Sequence, residues 1–280
     1  MLLSARVRES AVSPVLLRRS VFRGDNGDHR SEENVLLPGI HGQIERRLLV
    51  NYRVDPEVIA RVLPHPFRPQ LVGGAAVAGI CLIRLGQMRP RHAPRWVGLR
   101  SENAAHRVAV EWDTANGPQT GVYIPRRDSD SWANVVLGGR VYPGEHHRAR
   151  FRVDETDEAI RVAYTSLDGA AWVDVSVNIS DEFGDSRLFG GIEEASAFFE
   201  TGSVGYSATR RPDRFDGLGL KTSAWKVEPT SVTHARSSFF DDAGIFPAGT
   251  AELDDALIMR KMPVLWEPLS SLRLQAEPAA

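Results

Sequence analysis

"RRLLVNYRVDPEVIARVLPHPFRPQLVGGAAVAGICLIRLGQMRP", residues 46–90, decides the fold. It opens with a strand, "RRLLVNYRV" (46–54). A short helix follows. Asp55 is a good side-chain cap, Pro56 suits the first helical position, and Val58, Ile59, Val62 and Leu63 form one apolar stripe. Pro64 and Pro66 stop it. "AAVAGICLIRLGQMR" (75–89) is apolar on both faces, which predicts a central strand.

The same grammar continues downstream. "HRVAVEWD" (106–113) alternates, with Val108, Val110 and Trp112 on one face and Arg107, Ala109 and Glu111 on the other. Glu111 and Asp113, which bracket Trp112, read as a solvated sheet face. "TGVYIP" (120–125) is a strand. A short helix in "DSDSWANVVLGG" has Asp130 or Ser131 as cap and Gly138/Gly139 as stop. Strands follow at 146–155, 160–169 and 170–183. In the last, Val173, Val175, Val177 and Ile179 point one way and Trp172, Asp174, Ser176 and Asn178 the other. Asp168-Gly169 between two strands is a hairpin signal. "IEEASAFFETG" (192–202) is helical with Gly202 as terminator, and "SAWKVEPTSVTHARSSFF" (223–240) reads as the final strand pair. Strands outnumber the short helices about three to one, which predicts a largely antiparallel, mostly-β α+β fold: a sheet curled into a barrel under a few covering helices. Residues 1–40 are polar and aperiodic and read as a disordered extension. One domain over 41–270 and a flexible tail over 271–280 complete the expected organisation.

Composition narrows the function classes. The chain has 280 residues and a formal charge of −2, which gives no reason to expect nucleic acid as a partner. Only three lysines occur (Lys221, Lys226, Lys261), so 31 of the 34 cationic side chains are arginine. A single cysteine, Cys81, excludes an internal disulfide and a paired-cysteine zinc site. No run of apolar residues is long enough to span a membrane, and arginines interrupt the first 20 residues where a secretory signal needs an apolar core. A cytoplasmic protein without membrane partner is expected, with homo-oligomerisation left open. The nucleotide-loop, dinucleotide, serine-hydrolase and zincin motifs are absent, so no cofactor and no metal are expected.

The order of these pieces resembles the YqjF-like family, domain of unknown function 2071, of the acetoacetate decarboxylase-like superfamily. Tyr52, Val54-Asp55-Pro56, Leu63-Pro64-His65-Pro66, Gly79-Ile80-Cys81-Leu82-Ile83-Arg84, Arg89-Pro90, "RSENAAHRVAV", "GVYIPRRDSDSWANVVLGGRVYPGEHHRARFRV" and "SAWKVEP" carry the resemblance, over residues 44–270. It implies a cone-shaped β-barrel around a cavity. The superfamily's decarboxylases hold a Schiff-base lysine beside a second lysine. In the matching stretch Ala133, Gly139, Arg140 and Pro143 keep the pattern, but Gly144-Glu145 stand where the Lys-Lys pair would be. Neither has the primary amine that a Schiff base needs.

The same resemblance places a cavity glutamate at Glu102 and a cavity arginine at Arg46 or Arg47, with Arg47 taken as the carboxylate anchor. Strand parity separates His146 from His147. It puts His147 with Ala149, Phe151 and Val153, facing core or cavity, and His146 among Arg148, Arg150 and Arg152, facing solvent. That separation counts against a shared metal. Tyr123, Trp132 and Arg140 flank the glycine turn and are expected to touch a ligand, although Tyr123 also reads as core and Arg140 as a helix cap. Two functions stay open. In one, the cavity binds a small acidic or carbonyl compound, and Glu102 and His147 carry protons in lysine-independent chemistry such as hydration, isomerisation or hydrolysis. In the other, the barrel is a non-catalytic binding or interaction module.

Overall fold

The computed structural model describes residues 39–138, 144–209, 211 and 213–273. These hold thirteen strands: β1 (Ile40–Val54), β2 (Arg68–Pro69), β3 (Leu71–Val72), β4 (Ala75–Pro90), β5 (Leu99–Thr114), β6 (Gly117–Ser129), β7 (His146–Glu155), β8 (Ala159–Ser166), β9 (Trp172–Ile179), β10 (Val204–Ala208), β11 (Arg214–Lys221), β12 (Glu228–Ser237) and β13 (Ala251–Arg273). Three helices lie among them: α1 (Pro56–Ala60), α2 (Trp132–Leu137) and α3 (Ile192–Thr201). The expectations for residues 1–38 and 274–280, and for Arg140, fall outside the described residues.

Local chemistry sets the element ends. The Asp55 carboxylate accepts from the backbone N–H of Glu57 and Val58 and caps α1. The Ser131 hydroxyl accepts from the N–H of Asn134 and caps α2. Gly169 takes φ +71° in the β8–β9 hairpin, a conformation that glycine adopts without strain.

All thirteen strands join one sheet, in the order β11-β10-β6-β7-β8-β9-β12-β13-β1-β4-β5-β2, with β3 on β4 and further pairings of β5 with β6 and β11 with β13. Only the β10–β6 and β6–β7 contacts are parallel. The architecture is the expected mostly-β α+β fold. One expectation is corrected. Residues 223–240 supply one strand, β12, not a final pair; the last strand of the described residues is β13. That 23-residue strand pairs with β1, β11 and β12. Its sequence hides it: Ala256, Leu257, Ile258 and Met259 are buried on both faces, and Pro263 and Pro268 break the pattern.

Alternation along β1 sorts the two faces. Leu48, Val50, Tyr52 and Val54 enter the larger core, with Val173, Val175 and Val177 of β9. Leu49 enters a second core under α3, with Phe189, Phe199 and Met259. Truncating Leu257, wholly buried on this second side, to alanine costs ~2–5 kcal/mol. The second face carries the cavity described next.

Candidate functional site

A cavity of about 180 Å³ lies on the second face. β1, β4, β5, β6, β10 and β11 supply its walls, and Ala133, Asn134 and Leu137 of α2 close one side. Ile83, Leu85, Met88, Val122 and Ile124 make much of it apolar.

Three guanidinium groups interrupt that lining: Arg47 of β1, Arg107 of β5 and Arg127 of β6. Arg107 is 3% exposed. One of its Nη atoms donates to Asn51 Oδ1, its Nε has no partner, and its guanidinium carbon lies 4.6 Å from the Phe199 ring centroid. A register shift between His106 and Val108 in the β5–β6 ladder sits at this residue. Arg127 Nε donates to the Ser207 hydroxyl at 2.9 Å. Arg47 faces sulfur only, with Nε 3.4 Å from Cys81 Sγ and Nη1 4.0 Å from Met259 Sδ. None of the three forms an ion pair with a carboxylate among the described residues. Burial, with added repulsion from Arg47, lowers the pKa of both Arg107 and Arg127 to about 10. Both stay charged at neutral pH.

One buried acid stands behind this group. Asn51 Nδ2 donates to Asp255 Oδ1 at 2.6 Å, while Asp255 Oδ2 has no partner. Burial pushes the Asp255 carboxyl up to about 7, against the opposing hydrogen bond from Asn51.

A polar edge completes the cavity. Asn134 Nδ2 donates to Ser101 Oγ (3.2 Å), Asn103 Oδ1 (2.9 Å) and Ser129 Oγ (3.1 Å), which pins α2 to β5 and β6. His146, the first residue of β7, also lines the wall.

Arg47 is where the sequence reading puts it. The other expected residues are elsewhere. Glu102 is absent from the cavity lining. Its Oε2 accepts from Arg46 at 2.7 Å and its Oε1 from Arg84 at 2.5 Å, and both arginines also bond Glu155. His147 lies with Asp168, 3.5 Å from Nδ1 to Oδ2, in a neighbouring depression that His146 also lines. Glu102, His147 and a cavity arginine therefore do not converge. Strand parity separates the two histidines and puts His147 on the core face, where Ala149 packs in the larger core; His146, expected in solvent, lines the cavity instead. Tyr123 is a core residue whose hydroxyl burial pushes its pKa up to about 12. Trp132 is 66% exposed, its ring 5.4 Å from the Arg148 guanidinium carbon. Arg107, Arg127 and His146 were missed. The only signal for Arg107 was an arginine inside an otherwise apolar alternation, "HRVAVEW".

Glu111 and Asp113 pair with Arg68 at 2.6 and 2.7 Å at the sheet surface, as their solvated reading implied. Lys221, Lys226 and Lys261 are all exposed, and none lines the cavity. Among the described residues no group of three or more metal-ligating side chains occurs, and no helix is long and apolar enough to cross a membrane.

Solved structures with this architecture define its class. The acetoacetate decarboxylase of Legionella pneumophila superposes with a TM-score of 0.56 at 8% identity, covering 84% of this chain and 88% of that one. An acetoacetate decarboxylase-like enzyme from Sphingomonas wittichii RW1 gives 0.57 at 11%, covering 85% and 93%. The enduracididine biosynthesis enzyme MppR, complexed with pyruvate, gives 0.55 at 13%, covering 88% and 93%. These likenesses show an acetoacetate decarboxylase-like fold. The chain belongs to the DUF2071 family, described as an uncharacterized conserved protein, whose model matches residues 42–258. Among curated proteins none matches by sequence.

Proposed function

We propose that the cavity binds a small organic acid and that Arg47, Arg107 and Arg127 hold its carboxylate. One observation carries this reading: three guanidinium groups line one largely apolar cavity and no carboxylate of the described residues pairs with them. An unpaired charge away from bulk water is costly, and an anion supplied from outside relieves the cost. A carboxylate also matches the planar fork of a guanidinium. MppR, which shares the fold, forms a complex with pyruvate, an acid of the size and charge this cavity suits.

The exposed positions of all three lysines weigh against Schiff-base chemistry. Glu102 is best read as part of the scaffold, because both its oxygens are engaged by arginines. Any proton transfer in the cavity would then fall to residues on its wall.

A thermal-shift comparison of matched neutral and charged ligands tests the proposal. Propionate is expected to raise the melting temperature in a saturable way and propionamide to leave it unchanged. Equal shifts for the two, or none with a panel of small carboxylates, would overturn it.

A further inference from the structure

We infer that His146 is the hydrogen-bond acceptor of the cavity, and that it selects acids carrying a hydroxyl or enol O–H close to the carboxylate. This rests on the acid-binding reading of the cavity and adds the second group the ligand must have.

The tautomer of the ring comes first. Nδ1 of His146 lies 3.1 Å from the Gly144 carbonyl oxygen. A carbonyl only accepts, so Nδ1 carries a proton and donates it. Burial, and then Arg127, depress the pKa of the ring to about 3, so it holds one proton and not two. Nε2 therefore keeps a bare lone pair. It has no partner among the described residues. His146 lines the cavity wall and the neighbouring depression beside His147, and its lone pair serves a molecule bound in the cavity.

The neighbours fix where it acts. His146 and Arg127 are register partners on the parallel strands β6 and β7. Both line the cavity, so an acid anchored on Arg127 brings its next carbons past the imidazole. Gly138, the C-cap of α2, packs behind the ring: a Cβ there would come within 2.5 Å of Nδ1. Ser101 supplies the complementary group. Its Oγ already accepts from Asn103 Nδ2 at 3.0 Å and Asn134 Nδ2 at 3.2 Å, which occupies both lone pairs. Its O–H remains free to donate. A hydroxy acid fits this set: carboxylate to the arginines, O–H to Nε2, and an oxygen lone pair to Ser101.

Two measurements decide it. The first needs no ligand. Long-range ¹⁵N correlation spectra of the full chain at neutral pH should show His146 as the neutral Nδ1–H tautomer. An Nε2–H tautomer or a charged ring overturns the inference. The second is calorimetry with lactate and propionate, which differ by one hydroxyl. The wild type should bind lactate about tenfold more tightly. His146→Phe should bring the two acids to near parity, and His146→Gln, whose amide oxygen still accepts, should keep part of the preference. A preference unchanged in His146→Phe, or no preference in the wild type, overturns the inference. Failure of both acids to bind the wild type contradicts the acid-binding cavity instead, and the tautomer spectrum still decides the state of His146.

Discussion

Arg46 and Arg47 are adjacent in sequence and meet opposite fates on the two faces of β1. Arg46 is 1% exposed and enters a four-membered ring of charges with Glu102, Arg84 and Glu155, which ties β1, β4, β5 and β7 together. Arg47 turns to the other face, where it joins Arg107 and Arg127 with no ion-paired carboxylate among the described residues. Two positive and two negative charges in a ring satisfy each other and leave little for a ligand. Three positive charges around an apolar cavity do not. The same residue type thus builds the scaffold on one face and readies a site on the other, and only the partners distinguish the two.

The largest effect is expected from breaking the ring. Glu102→Gln leaves Arg46 and Arg84 short of one carboxylate and should destabilise the fold by about 3 kcal/mol, read from denaturant unfolding. Acid binding by the folded fraction should survive. Loss of binding at full stability would instead make Glu102 a member of the site.

Arg127→Met sharpens the comparison from the other face. It should weaken propionate binding by roughly 10- to 100-fold, since a charge-assisted hydrogen bond is worth ~1.5–3 kcal/mol. The unliganded protein should be as stable as wild type or more so, because an unpaired cation leaves the cavity. Calorimetry and thermal unfolding on the same sample check both halves.

Asp255 gives a pH signature. Its carboxyl is raised to about 7 by burial, so between about 4 and 7 the native state holds a proton that the unfolded chain has released. Its contribution is therefore full below pH 4 and is lost as pH rises through 7. Relative to wild type, Asp255→Asn should grow more stable across this window. A flat difference between the two unfolding curves would contradict the raised pKa.

The smallest effect belongs to Trp132. Its ring is largely exposed and its cation–π contact with Arg148 is a surface one, so Trp132→Ala should change stability by less than ~1 kcal/mol and leave acid binding intact.

Much of this fold could be read from the residues. Strand β7 has the expected ends, His146 to Glu155, because its alternation is unbroken, and the caps of α1 and α2 follow from Asp55 and Ser131. Strand β13 escaped because a strand buried on both faces loses its alternation. The site was harder for a related reason. Alternation says that His146 and His147, or Arg46 and Arg47, part company. It does not say which face is filled with side chains and which encloses space. Glu102 and His147 looked inward, and by parity they do share the sheet face of Ala104 and Ala149, which pack in the larger core, but the arginine-lined cavity is not built from them. Arg107 made the same point in reverse, an arginine on the face assumed to be solvated that is in fact buried.

A crystal structure of the protein with lactate tests the central claim most directly. The carboxylate should lie within hydrogen-bonding distance of at least two of Arg47, Arg107 and Arg127, with the Arg46–Glu102–Arg84–Glu155 ring unchanged. A cavity that stays empty at saturating lactate, or a carboxylate bound at the ring or the His147–Asp168 depression instead, would contradict it.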